Sequence, residues 1–110
     1  GTIMEQQTPL KMILLNNNYL GNVRQWQDLM YNHRRSFTKM LNPYYQKIAE
    51  AYGINYDVVI DREDLKAKVE KMLHTDGPYI LECAVKEEEN VTPMVTPGCA
   101  IDEMQLHLDI

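Results

Sequence analysis

The sequence has few of the features that mark several common classes of protein. Its two cysteines, Cys83 and Cys99, lack the spacing of a metal site, and nothing in the composition indicates an oxidising compartment. No stretch approaches the roughly 18 consecutive apolar residues that a membrane-spanning helix needs. The first residues also lack the basic-then-apolar plan of a signal peptide. We therefore expect reduced thiols, a cytoplasmic location and no membrane contact.

An excess of positive charge is also absent. Eleven lysines and arginines face sixteen aspartates and glutamates, which gives a formal net charge of −5. Binding to a nucleic-acid backbone depends on clustered cations. No nucleic-acid partner is therefore expected, and Arg24, Arg34 and Arg35 are interpreted as solvated or paired. The three histidines share no metal-ligand spacing.

Three short apolar runs alternate with stretches that have helical periodicity. The runs at residues 10–15, 56–60 and 79–85 are predicted strands, the first of them buried on both faces. A helix is predicted at residues 22–33, with Val23, Trp26 and Met30 on its apolar face. Asn42 and Pro43 are expected to begin the next helix, which Gly53 ends. Asp61 is expected to cap a further helix that ends near residue 76.

Strands that alternate with amphipathic helices predict an α/β fold, a parallel sheet with helices on both faces. Residues 86–110 are charged and then proline-containing, which favours a tail or lid with a short amphipathic piece at 100–108. Three strands make a thin sheet for such a fold. We therefore expect residues 1–110 to be the C-terminal portion of a larger α/β domain.

The asparagine run after the first strand is the most informative feature. Ligands of open parallel sheets bind beyond the carboxyl ends of the strands, where residues 16–21 lie. Asparagine tolerates left-handed backbone angles, its amide oxygen is a ligand that Mg²⁺ accepts, and a helix N-terminus favours an anion. A metal-bound diphosphate is one interpretation and simple turn formation is the other. No acidic residue lies between Gln6 and Gln27, so a carboxylate ligand would have to come from elsewhere.

Three stretches carry a resemblance to a known family, and the first and last of them are its specific motifs. The block NNNYLGNVRQWQ, the following NHRRSFTKMLNPYYQKIAEAYGI and the closing EENVTPMVTPGCAIDEM together resemble acetolactate synthase, also called acetohydroxyacid synthase. The similar part is the C-terminal part of the thiamine-diphosphate-binding domain of the large catalytic subunit. The family motif opens with Gly-Asp-Gly and closes with Asn-Asn. This chain has the closing pair, Asn16 and Asn17, and lacks the opening.

The resemblance implies roles for the residues of the first motif. Asn17 looks like a Mg²⁺ ligand through its side chain, and Tyr19 like a second ligand through its main-chain carbonyl. Leu20, Gly21 and Asn22 would lie beside the diphosphate of the cofactor, although many relatives have Met where Asn22 stands. No catalytic residue is expected within these 110 residues.

Val23 and Trp26 are implied to line the pocket of the second substrate. Trp26 corresponds to the family's tryptophan that favours 2-ketobutyrate, because a flat indole can contact an added methyl group. The alternative is ordinary packing of both side chains in the core of the helix.

The activity implied is the condensation of pyruvate with a second 2-ketoacid, pyruvate or 2-ketobutyrate, with loss of CO₂, in branched-chain amino-acid biosynthesis. The cofactors implied are thiamine diphosphate and Mg²⁺, with FAD in another domain. The partners implied are the rest of the catalytic subunit, a homodimer or homotetramer, and a small regulatory subunit. We expect these 110 residues alone to be inactive. Two alternatives remain. One is another thiamine-diphosphate-dependent decarboxylase or ligase, and the other is a non-catalytic dimerisation module.

Overall fold

The computed structural model describes residues 1–107, which divide into two compact units. The first unit contains Gly1–Asn17 and Leu41–Val85, and the second contains Asn18–Met40 and the chain from Lys86 onward. The elements, in chain order, are α1 (Thr2–Gln6), β1 (Lys11–Asn16), α2 (Gly21–Met30), α3 (Tyr45–Ala51), β2 (Asn55–Val59), a 3₁₀ turn (Arg62–Asp64), α4 (Leu65–His74) and β3 (Tyr79–Ala84). All of them except α2 belong to the first unit.

The first unit is built on a parallel three-stranded sheet in the order β1-β3-β2. Helices lie between the strands in sequence, as parallel pairing requires a crossover connection. The predicted α/β class and all three strands are thus confirmed, with strand bounds that differ by one residue from the apolar runs.

The core of the first unit lies on one face of β3. Alternate side chains of a strand point to opposite faces, and alternate residues of β3 are almost fully buried against α4. The core cluster contains Val59, Met72, Tyr79, Leu81 and Cys83, with Val69 packed beside it. Cys83 is therefore a buried free thiol, and Cys99 in the tail is an exposed one.

Strand β1 is less buried than its apolar sequence predicts. Ile13 and Leu15 are 56% and 68% exposed, although both lie on the sheet face that carries the core of β3. Within the described residues, β1 lies at an edge of the sheet, and α4 packs on β2 and β3 instead. The expectation of burial on both faces holds better for the central strand than for this one.

Helix α2 ends earlier than predicted. Its last residue is Met30, whereas the periodicity predicted a helix to residue 33. Asn32 and His33 both have left-handed backbone angles, with φ of 50° and 56°, which a right-handed helix does not accommodate.

The predicted cap of α3 is wrong, and that of the next helix is right in position only. Helix α3 begins at Tyr45, and the side chain of Asn42 instead donates to Oδ1 of Asn16 at 2.9 Å. Asp61 does occupy the N-cap position of the 3₁₀ turn that leads into α4, but its side chain makes no capping hydrogen bond among the described residues. Gly53 does follow the end of α3 with φ of 64°, as predicted for a glycine stop.

The described tail contains one short antiparallel contact. Met94 and Gln105 exchange two backbone hydrogen bonds, of 3.0 and 2.8 Å. The predicted amphipathic piece at 100–108 forms turns over residues 100–107, and Leu108 lies outside the described residues. None of the helices in residues 1–107 has the length and apolar character to cross a membrane.

Candidate functional site

The asparagine run follows the carboxyl end of β1. Asn16 is the last residue of the strand, and its carbonyl accepts a hydrogen bond of 3.0 Å from the N–H of Val85. Asn17 follows directly and closes this part of the first unit. Asn18, the first residue of the second unit, has a left-handed φ of 55°. The turn therefore uses the backbone angles expected of asparagine.

The backbone on either side of Tyr19 is held within the second unit. Tyr19 forms an antiparallel bridge with Lys39, in which Leu20 N–H donates to the Thr38 carbonyl and Met40 N–H to the Asn18 carbonyl, each at 2.8 Å. This bridge fixes the backbone orientation of the residue that the resemblance assigns as a carbonyl ligand.

Helix α2 begins two residues later, at Gly21. Its first ladder bond joins Arg24 N–H to the Leu20 carbonyl at 2.9 Å, so the N–H groups of Gly21, Asn22 and Val23 precede the ladder. Leu20 has an apolar side chain and makes no capping bond within the described part of the chain. The positive end of the helix dipole is therefore not neutralised by a side-chain cap.

The buried face of α2 is polar, which the sequence did not predict. Arg24, Gln25 and Asp28 are 1%, 2% and 5% exposed, whereas Val23 and Met30 are about half exposed, at 49% and 47%. The expected apolar face is thus turned away from the interior of the second unit. Val23 is therefore not packed in the interior of the second unit, and Trp26 is half-buried.

The buried side chains of α2 bind the start of the tail. Arg24 donates from Nη2 to the Glu89 carbonyl at 3.1 Å and to Oδ1 of Asn90 at 2.8 Å. Gln25 donates from Nε2 to the Val91 carbonyl at 3.0 Å, and its Oε1 accepts from Val91 N–H at 2.7 Å. The sequence interpretation of Arg24 as a solvated or paired surface residue missed this role. The closing motif ENV, which begins at Glu89, was the only signal for it.

A small charged cavity of about 100 Å³ lies beside this contact. Asp28 and Arg35 form its main ion pair, and the Arg35 guanidinium lowers the pKa of the Asp28 carboxyl below its usual value. The cavity is lined by Arg24, Asp28, His33, Arg35, Glu88 and Asn90. Positive and negative side chains balance in this lining, which includes none of the residues assigned to the cofactor or substrate. It is a structural cavity of the second unit.

The donor set of the asparagine turn suits part of a magnesium site. An amide oxygen from Asn17 and a carbonyl oxygen from Tyr19 are hard ligands that Mg²⁺ accepts beside phosphate oxygens and water. Residues 1–107 contain no cluster of three or more histidine, cysteine or acidic side chains that would hold a metal. Asn17 and Tyr19 thus carry donor types that Mg²⁺ accepts, and the described residues add no acidic cluster to them.

The parallel sheet with helices in the connections between its strands places the first unit in the α/β class. Residues 1–83 match the family described as thiamine pyrophosphate enzyme, C-terminal TPP binding domain. The chain belongs to this family.

The chain is also similar to acetolactate synthases, as its two motifs predicted. It is 42% identical to the isozyme 2 large subunit of Escherichia coli over 94% of its own length, which is 19% of that relative. It is 45% identical to the mitochondrial catalytic subunit of Saccharomyces cerevisiae, again over 94% of the chain and 15% of the relative. A chloroplastic acetolactate synthase of Nicotiana tabacum is 40% identical over 94% of the chain. The chain thus spans less than a fifth of the length of these relatives.

Proposed function

We propose that this chain is part of the thiamine-diphosphate-binding domain of an acetolactate synthase large subunit. The whole enzyme would condense pyruvate with a second 2-ketoacid, pyruvate or 2-ketobutyrate, with loss of CO₂. The observation that carries the proposal is the 42–45% identity to acetolactate synthases over 94% of the chain. Residues 1–110 alone are expected to be inactive, because the metal donors that they supply are incomplete.

The cofactor would be held by the turn after β1. The Asn17 side chain and the Tyr19 carbonyl would bind Mg²⁺, and the N–H groups of Gly21 and Asn22 would donate to the diphosphate beside Leu20. The left-handed Asn18 and the bridge at Tyr19 support this assignment because they fix the backbone on both sides of the proposed donors. Bound thiamine diphosphate supplies the electron sink that a 2-ketoacid needs in order to lose CO₂.

The second substrate would contact Val23 and Trp26. Both side chains lie on the side of α2 opposite its buried polar residues, and Val23 is half exposed within the described residues. An apolar pair at the start of this helix provides a surface for the alkyl group of a 2-ketoacid. Burying one methylene in such a pocket is worth about 1–3 kcal/mol.

The remaining expectations belong to the same proposal. Residues 86–110 would act as a tail or lid, and FAD would bind to another domain. The partners would be the rest of the catalytic subunit, a second copy in a homodimer or homotetramer, and a small regulatory subunit. A cytoplasmic location stays a prediction, because the relatives include mitochondrial and chloroplastic proteins.

Product analysis of the whole protein with pyruvate, thiamine diphosphate and Mg²⁺ tests the proposal. Acetolactate as the main product is expected. Acetaldehyde without acetolactate would instead indicate a thiamine-diphosphate-dependent decarboxylase, which the family assignment alone also allows. Absence of any cofactor-dependent product would favour a non-catalytic dimerisation module.

A further inference from the structure

A hydrogen-bonded chain of side chains crosses the sheet beneath the asparagine turn. Glu82, in the central strand β3, accepts from Nδ2 of Asn16 through Oε1 at 2.7 Å. Its other carboxylate oxygen, Oε2, accepts a short hydrogen bond from the hydroxyl of Tyr56 in β2. Asn42 donates to the remaining side of the Asn16 amide at 2.9 Å. All four residues belong to the first unit.

The strand register explains why these side chains meet. Leu14 of β1 and Val58 of β2 both lie opposite Glu82. Asn16 lies two residues after Leu14, and Tyr56 two residues before Val58, so all three polar side chains share one face. Glu82 therefore reaches diagonally to both neighbouring strands, a distance that long side chains span.

The chemistry of the acceptor fixes the orientation of Asn16. A carboxylate accepts hydrogen bonds and does not donate, so the amide nitrogen of Asn16 faces Glu82 and its oxygen faces Asn42. Burial, and then the neighbouring Glu82 carboxylate, raise the pKa of the Tyr56 phenol, which stays protonated and donates. With its carbonyl also bonded to Val85 N–H at 3.0 Å, Asn16 is held through backbone and side chain together.

Asn16 is the residue through which the chain leaves the sheet toward Asn17. We propose that Glu82, supported by Tyr56, is a positioning residue for the magnesium–diphosphate site, because it orients Asn16 and so sets the backbone that presents Asn17. This inference rests on the proposed cofactor role of Asn17. Partners that orient metal ligands through a second layer of hydrogen bonds typically change metal affinity about 10- to 100-fold when they are mutated.

The test measures Mg²⁺ affinity, with thiamine diphosphate at saturation, by calorimetric titration of the whole catalytic subunit that contains this chain. Glu82→Ala is expected to weaken Mg²⁺ binding about 10- to 100-fold. Glu82→Gln is expected to restore most of the affinity, since its amide accepts from Asn16 and donates to the Tyr56 oxygen. Tyr56→Phe leaves the Asn16 contact intact and is expected to weaken binding measurably but less than Glu82→Ala does.

Asp57→Ala is the matched control. Asp57 neighbours Tyr56 in β2 but points to the opposite face, where it pairs with Lys71 at 2.8 Å. The Asp57→Ala substitution should lower the unfolding temperature without changing the Mg²⁺ affinity. In the apo protein, hydrogen exchange at residues 16–18 should accelerate in Glu82→Ala and stay unchanged in Asp57→Ala.

The outcomes separate the inference from the proposed function. A wild-type protein that does not bind Mg²⁺ and thiamine diphosphate overturns both. A wild-type protein that binds, together with unchanged affinity in Glu82→Ala, overturns only the positioning role. Equal loss of affinity in Asp57→Ala would show general destabilisation and overturn it as well. If Glu82→Ala does not fold, unchanged affinity in Tyr56→Phe decides against the inference and the expected weakening decides for it.

Discussion

Arg35 donates two hydrogen bonds to the buried carboxylate of Asp28, 2.7 Å from Nε to Oδ1 and 2.9 Å from Nη2 to Oδ2. The pair is asymmetric, because the Asp28 side chain is 2% exposed and that of Arg35 is 31% exposed. Bidentate pairs of this kind combine charge with fixed geometry. In this protein the pair joins α2 to the loop that follows it.

Removing either partner should therefore have unequal effects. Arg35→Ala leaves a buried carboxylate with only the His33 ring, 3.3 Å from Oδ1, beside it and is expected to cost about 3 kcal/mol in the free energy of unfolding. Asp28→Ala leaves an arginine that turns toward solvent, and about 1–3 kcal/mol is expected. Urea unfolding measures both, with Arg34→Ala as the exposed control. Equal losses from the two substitutions would contradict the asymmetry.

The pH dependence of stability should depend on Asp57. The hydrogen bond from Lys71 lowers the pKa of the Asp57 carboxyl in the folded state, with help from the Val58 N–H and Lys68. A depressed folded-state pKa stabilises the fold above the unfolded value of about 4, and this contribution is lost as the pH falls through the folded pKa. The difference in urea midpoint between wild type and Asp57→Asn should therefore shrink from pH 7 to pH 2.

Glu70→Gln provides the control for that titration. Glu70 forms an exposed pair with Lys66 at 4.0 Å, and such pairs contribute little. The urea midpoint of Glu70→Gln should differ little from that of the wild type at every pH. A constant difference for Asp57→Asn across the same range would show that the ion pair does not stabilise the fold.

Gln25 should control the order of the tail that follows Lys86. Gln25→Leu removes both bonds to the Val91 backbone and leaves two polar groups without partners, at an expected cost of about 1–3 kcal/mol. Hydrogen exchange at the Val91 amide should accelerate, and limited proteolysis should cut residues 86–107 faster. The exposed Gln46→Leu in α3 should change neither, and unchanged exchange in Gln25→Leu would contradict the contact.

Asn17→Ala tests the proposed metal ligand in the whole enzyme. Loss of the amide oxygen should weaken Mg²⁺ binding by about 100-fold or more, beyond the effect of a supporting residue. Asn17→Asp keeps an oxygen donor and should retain binding. Asn32→Gly is the control, because the exposed Asn32 lies outside the turn and glycine tolerates its left-handed φ of 50°. Retained Mg²⁺ affinity in Asn17→Ala would remove Asn17 from the ligand set.

Trp26→Leu tests the proposed substrate role in a competition between equal concentrations of pyruvate and 2-ketobutyrate. The preference for 2-ketobutyrate should fall by about tenfold or more, which is the range for one methylene in an apolar pocket. Met30→Leu, one turn later on the same helix, should leave the product ratio unchanged. If the ratio moves equally in both variants, the effect belongs to the helix as a whole and not to Trp26.

The sequence alone was sufficient for the three strands and for the end of α3, but not for the end of α2 or the start of α3. Apolar runs predicted all three strands to within one residue, because a strand in a parallel sheet has a continuous apolar signature. Gly53 marked the end of α3 since it adopts a left-handed angle there. The asparagine turn was found because those residue types suit both its backbone angles and its proposed ligand.

The tertiary structure decided which polar groups are partners and which faces are buried. Periodicity identified an apolar stripe on α2, but the buried side chains are Arg24, Gln25 and Asp28, since they satisfy the backbone of the tail and the charge of Arg35. The sequence predicts Asn42 as a helix cap. In the folded chain its side chain instead bonds to Asn16, which lies 26 residues earlier. In the sequence, Glu82 is a single acidic residue within an apolar strand. Only the parallel register of the folded sheet places it diagonally across from Asn16 and Tyr56. Local residue type determines backbone preference, whereas hydrogen bonds between distant segments exist only after the chain has folded.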